Sequence, residues 1–302
     1  MYIGYKPYDE QNKLENIEGI GAQYQRIVTL LSIAKRHNLK YIYIKTKIGH
    51  NKNNIIDWDD KWEHMFNIKK LCNNNEINDN LEIFEKKYNN SLNLSTILND
   101  NDNDNDNDND NDNENKNENN ILNLYTTAFE IFDNNPEYYL SNIQNDLINV
   151  YDENNNERAL IYDKNKINIA IHIRVHNDFD NIEHYEEFKN NTSMRYYMTV
   201  DNYINLIHYL KDKYSNSDIH IFSQEKYFDL SYKKLRDIND INFHFDDLDT
   251  FDTFHHLCKS DVLCMGTSSF SILAAFYNRN TIIYLPYYHP PSLTTWQILN
   301  FA

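Results

Sequence analysis

Ile167-Asn-Ile-Ala-Ile-His-Ile-Arg-Val175 alternates with a period of two, so Asn168, Ala170, His172 and Arg174 share one face of a strand and the isoleucines the other. His172 and Arg174 therefore point the same way. Further on, Val262-Leu-Cys-Met-Gly-Thr-Ser-Ser-Phe-Ser-Ile-Leu-Ala-Ala275 reads as a buried strand, a Gly/Ser/Thr turn and a helix. The start of that helix offers unpaired backbone N–H groups, which is an anion cradle. An arginine leaving one strand and a serine-rich helix start after another suit a nucleoside diphosphate, because ligands of open α/β sheets sit outside the carboxyl ends of the strands.

Around these segments the pattern is regular. Strands are expected at Ile167–Val175, Asp218–Ser223, Ile241–Phe245, Asp261–Gly266 and Thr281–Leu285, with helices at Val200–Tyr214, Leu230–Asp237, Phe251–Lys259 and Phe270–Asn278 between them. Such alternation implies a doubly wound, mostly parallel sheet. The reading is thus α/β, with a nucleotide-binding domain at 160–302 and a smaller α/β domain at 1–150. In the latter, Gly19-Ile-Gly21 opens a helix that runs to about His37, the strand Tyr41–Lys45 follows, and Asp57–Phe66 is an aromatic-anchored helix. The stretch up to Leu98 reads as weakly helical, and helices are expected at Leu122–Phe132 and Pro136–Val150.

Residues 99–120 are an Asn/Asp repeat with no apolar area to bury, read as a disordered insert. Between Asp100 and Asn120 it carries seven Asp, two Glu and one Lys, about −8 of the formal net charge of −17. The remaining acidic balance argues against nucleic acid as a partner. Three cysteines, Cys72, Cys258 and Cys264, have no metal-ligand spacing and indicate a reducing compartment. No apolar leader opens Met-Tyr-Ile-Gly-Tyr-Lys-Pro and no window has the length of a membrane span, so a soluble cytoplasmic protein is expected. His255-His256 is rejected as a metal site, since neighbouring helical residues diverge.

Three segments, in order, carry a resemblance to the fucosyltransferase superfamily, the α1,2-, α1,6- and protein O-fucosyltransferase-like glycosyltransferases. Gly19-Ile-Gly-Ala-Gln-Tyr-Gln-Arg-Ile27 resembles the N-terminal glycine loop and helix; Ile171-His-Ile-Arg-Val-His-Asn-Asp178 resembles the His-x-Arg-x-Gly-Asp motif; Ser260–Ser271 resembles the C-terminal motif. The resemblance implies a GT-B-like pair of Rossmann-like domains and inverting, metal-independent transfer of fucose from GDP-fucose to a glycan or protein hydroxyl, with no cofactor. The placement of Gly19 and Gly21 at a loop–helix junction in a chain with five glycines suggests close backbone approach to a ligand, and the resemblance implies that Arg174 holds the β-phosphate with His172 beside the nucleotide and that Thr267, Ser268 and Ser269 bind the diphosphate. Asp252 would read guanine N1 and N2, and the domain at 1–150 would serve the acceptor. Asp178 and Glu225, each just past a strand end, are the candidate general bases. His176-Asn177 stands where the family has Gly-Asp.

Two other readings compete. Asp178-Phe-Asp180 or Asp247-Leu-Asp249 would hold a divalent cation in a metal-dependent glycosyltransferase using another nucleotide sugar. A non-catalytic nucleotide- or sugar-binding relative would tolerate the altered His176-Asn177.

Overall fold

The computed structural model describes residues 2–4, 19–49, 51, 54–72, 82–85, 120–123, 128–175, 198–245, 247–284 and 293–299. The chain divides into two compact units, Met1–Val150 and Tyr151–Ala302. Both are α/β, and among the described residues every strand pair is parallel.

In Met1–Val150, β1 (Tyr2–Gly4) leads to α1 (Ile20–Arg36) and β2 (Lys40–Ile42); β3 is Glu82–Glu85 and β4 is Asn120–Asn123. The sheet order is β2-β1-β4-β3. Helix α1 buries Ile20, Tyr24, Ile27, Leu31 and Ala34 but also Gln23, Gln25 and Ser32, so it is enclosed on more than one side. The aromatic helix α2 (Trp58–Phe66) stacks Trp62 on Phe66, whose ring lies 4.3 Å from Tyr24 of α1. Helices α3 (Ala128–Asn134) and α4 (Pro136–Leu140) pack Phe132 on Tyr139. Helix α5 (Gln144–Asn155) contains the boundary between the units.

Four expectations for this unit are corrected, one being that Pro136–Val150, read as one helix, is two, Pro136–Leu140 and Gln144–Asn155. Glu82–Glu85 is a strand within the stretch read as helical, and Asn120–Asn123 is a strand where the repeat was to end and a helix to begin at Leu122; the helix starts at Ala128. The strand at 41–45 covers Lys40–Ile42, and β1 was not expected. The cause is common to the strands: each is a run of three or four residues with no regular strand–helix alternation around it, of the kind that surrounds the equally short strands of Tyr151–Ala302. Its conformation is set by a neighbour distant in sequence, such as Ile3 beside Tyr41 on one side and Leu122 on the other. The rest of the Asn/Asp insert, 99–119, lies outside the described residues.

Tyr151–Ala302 follows the expected alternation, with a further short strand at Gln297–Ile298 that was not expected. Its strands are β5 (Ile167–His172), β6 (Ser217–Phe222), β7 (Ile241–His244), β8 (Val262–Cys264), β9 (Thr281–Tyr284) and β10 (Gln297–Ile298), and its helices α6 (Val200–Lys213), α7 (Glu225–Tyr232), α8 (Thr250–Lys259) and α9 (Ser269–Phe276). The helix expected at Leu230–Asp237 is instead the end of α7 followed by a 3-10 turn, Lys233–Asp237. The strand order is β10-β9-β8-β5-β6-β7.

Alternation on β5 divides the core. Ile169, Ile171, Ile173 and Val175 join Tyr203, Leu206, Ile207 and Leu210 of α6 and Phe228 and Tyr232 of α7 in one apolar cluster. On the other face β6 places Phe222 5.9 Å from His256 of α8, and His172 lies 5.6 Å from Phe270 of α9. Chain order runs β5, β6, β7 toward one edge and β8, β9, β10 toward the other. The two directions part between β5 and β8, which are paired. In open parallel sheets such a reversal leaves a crevice at the carboxyl ends of the two strands, because the crossovers leave on opposite faces.

Candidate functional site

The β5 ladder ends at His172 because its neighbours end beside it: Phe222 closes β6, and Cys264, opposite Ile171, closes β8. One more bond, from the Ile173 N–H to the Phe222 carbonyl at 3.0 Å, and one from Ser223 Oγ to the Ile173 carbonyl at 2.9 Å hold the exit extended. Arg174 follows, half-buried, between Ile173 and Val175, which both join the apolar core.

Across the reversal, β8 leaves through Met265 and Gly266. A Cβ added to Gly266 would stand 2.4 Å from the His172 carbonyl oxygen and 3.2 Å from its Nδ1. Glycine is required here for close approach of two backbones rather than for a left-handed conformation, since no described glycine has positive φ. Ser268 caps α9: its Oγ accepts the Phe270 N–H at 3.3 Å, and its own N–H donates to the Gly266 carbonyl at 2.8 Å. Buried Ser271 donates to the carbonyls of Gly266 and Ser268, both at 3.1 Å. The turn is thereby fixed from within, with Thr267 and Ser269 half-buried at its rim. The role of Ser271 was not foreseen, although its i, i+3 spacing from Ser268 was visible.

Burial, and secondarily the Arg174 charge, pushes the His172 imidazole down to about 3, so the ring is neutral. Its Nδ1 is buried and has no hydrogen-bond partner among the described residues. A buried ring nitrogen of this kind costs free energy until something pairs with it.

Asp252 lies in the first turn of α8. The helix is capped by Asp249, whose carboxylate accepts the Asp252 N–H at 2.7 Å. Asp252 itself pairs with Arg158, Nη1 to Oδ1 at 2.7 Å. Arg158 was not singled out in the sequence; no local pattern ties it to a helix that starts more than ninety residues later. Phe254 of α8 and Phe270 of α9 are 5.3 Å apart, so the starts of both helices and His172 form one aromatic-linked rim.

Other candidates stand elsewhere. Glu225 opens α7 and its exposed carboxylate pairs with Arg236 at 3.3 Å. Gly19 caps α1 and Gly21 is buried in its first turn, in the other unit. Asp178, Asp180 and His176-Asn177 lie outside the described residues. Of the second acidic pair, Asp247 Oδ2 is hydrogen-bonded to His244 Nδ1 at 2.9 Å, and Asp249 is the cap of α8. Among the described residues no group of three or more His, Cys, Asp or Glu could hold a metal ion. His255 and His256 diverge, with rings at 87°; Tyr151 OH bonds the first, and Ile161 N–H and the Asp252 carbonyl bond the second. Among the described residues no helix is long and apolar enough to cross a membrane.

No protein-family model matches the chain, and no curated protein matches it.

Proposed function

We propose that the chain is a metal-independent glycosyltransferase of GT-B-like architecture that transfers fucose from GDP-fucose to a glycan or protein hydroxyl with inversion. The observation that carries this reading is the meeting, at the order reversal between β5 and β8, of the His172–Arg174 exit with the Gly266–Ser269 turn. Numbered within the unit, the strand order is that of a Rossmann sheet, which supports a nucleotide at this edge. Arg174 holds the β-phosphate through its planar fork, and Thr267, Ser268 and Ser269 take the rest of the diphosphate at the start of α9. Neutral His172 sits beside the nucleotide without adding a second positive charge. Asp252 accepts guanine N1–H and N2–H.

In this reading the acceptor hydroxyl attacks C1 of the sugar and the diphosphate leaves toward Arg174. Fixed positive charge and helix-start dipoles stabilise the leaving oxygens, the term expected to be largest. Asp178 is the preferred general base, because Glu225 is already engaged with Arg236. The unit Met1–Val150 serves the acceptor, and its Gly19 and Gly21 allow close backbone approach to the donor.

The test is a melting and calorimetry panel of GDP, GDP-fucose, GDP-mannose, UDP and UDP-sugars with and without EDTA. A ligand at a hundred times its Kd stabilises the fold by about 2.7 kcal/mol. Guanine nucleotides are expected to raise the melting temperature by several degrees, unchanged by EDTA. Selective binding of UDP with manganese would favour the metal-dependent reading, and GDP-fucose binding with no transfer to any acceptor the non-catalytic one.

A further inference from the structure

The ion pair at the start of α8 is built from below. Asn155 is 2 % exposed, and its amide is oriented by donating from Nδ2 to the Tyr151 carbonyl at 2.7 Å. That leaves Asn155 Oδ1 to accept Arg158 Nε at 3.0 Å, while the Arg158 N–H donates to the Asn155 carbonyl at 3.1 Å. The guanidinium plane is thus set at its base before its outer edge reaches Asp252 Oδ1 at 2.7 Å. The main chain of Asp252 is pinned as well, its N–H by Asp249 at 2.7 Å and its carbonyl by His256 Nδ1 at 2.7 Å. A carboxylate has about four lone-pair sites. Arg158 uses one, and among the described residues Oδ2 has no partner in a side chain whose relative exposure is 39 %.

We infer that Arg158, itself positioned by Asn155, aims the outer edge of Asp252 and so sets the preference of the site for a base presenting two adjacent N–H donors. This rests on the proposed reading of Asp252. The outward edge left by Arg158 combines Oδ2 with the second lone pair of Oδ1, which suits two parallel donors better than one. Arg158 is a positioning residue: it acts through Asp252. Lysine cannot replace it, since a point ammonium cannot bond Asn155 and Asp252 along one plane.

The experiment is calorimetric titration of GDP, IDP and UDP into the full chain and into its Arg158→Lys and Asp252→Asn variants. IDP has the N1–H but lacks the exocyclic amino group. In the parent, GDP should bind about tenfold or more tighter than IDP, the worth of one bond to a charged acceptor. In R158K that ratio should fall toward unity while UDP binding stays unchanged, and D252N should abolish it. A ratio of affinities within one protein is insensitive to the fraction folded, so a merely structural Arg158 would leave it intact. A parent that binds GDP tightly, with the same GDP-to-IDP ratio in R158K, overturns the inference alone. A parent without guanine preference overturns the reading of Asp252 and the inference with it.

Discussion

Replacing Gly266 by alanine tests whether the approach of β8 to β5 builds the crevice. The new Cβ would stand 2.4 Å from the His172 carbonyl oxygen, whereas ordinary contact begins at 3.4 Å, so the two strand exits must separate by about 1 Å. The obstacle is backbone within a paired sheet, not the tip of a side chain, and it has little freedom to yield. Overpacking of a core costs about 1–3 kcal/mol, and a backbone obstacle places G266A at the upper end, about 3 kcal/mol. For a chain or unit of this size that corresponds to a melting-temperature loss of roughly 6–12 °C. Thermal and urea unfolding of the parent and of G266A give the number directly. Adding His172→Ala should not restore the loss, because the nearest atom is the carbonyl oxygen, which alanine retains. Unfolding of G266A within about 0.5 kcal/mol of the parent, or recovery of most of the loss in the double variant, would refute the backbone argument.

Arg174→Lys should leave unfolding unchanged and cost about 2–4 kcal/mol of transition-state stabilisation in fucosyl transfer, by analogy with a removed oxyanion donor; near-normal turnover removes Arg174 from its role. The neutral histidines predict the acid response. Burial first, and then Arg174, His244 and Lys259 respectively, hold His172 at about 3, His220 at about 4 and His255 at about 3. Below about pH 6.5 the unfolded chain takes up these protons and the folded chain does not, so their stabilisation, complete above that pH, is lost as pH falls toward the folded values. The slope is about 1.4 kcal/mol per pH unit for each histidine, and an unfolding free energy that stays level from about pH 7 to about pH 5 contradicts it.

The sequence was most informative where a period had room to repeat. Six residues of β5 with isoleucine on every second position, and fourteen of α6 with Tyr203, Leu206, Ile207 and Leu210 on one stripe, specify element and face together. The serine-rich turn was legible for the same local reason, since capping and turn chemistry involve residues one to three apart. The short strands of Met1–Val150 were not, because no regular alternation of strand and helix surrounds them as it does the equally short β7, β8 and β9, and their ladder takes its conformation from partners such as Ile3, Tyr41 and Leu122 that no short window contains.

The candidate rim divides in the same way. His172, Arg174 and Ser268 stand out locally as a strand exit and a helix start. Their proximity depends on strand order, and pairing β5 with β8 rather than with β7 is decided only when both faces of the sheet are covered. The reason Gly266 must be glycine lies in the His172 carbonyl more than ninety residues earlier, and the reason Asp252 is held lies in Arg158, equally distant. The sequence by itself determined the periodic strands and helices, their buried faces and the chemical character of each turn, because those follow from neighbours along the chain. Only the tertiary structure decided which turns meet, which carboxylates are already paired and which polar atoms are left to a ligand, because those depend on distances between segments that the backbone brings together through packing.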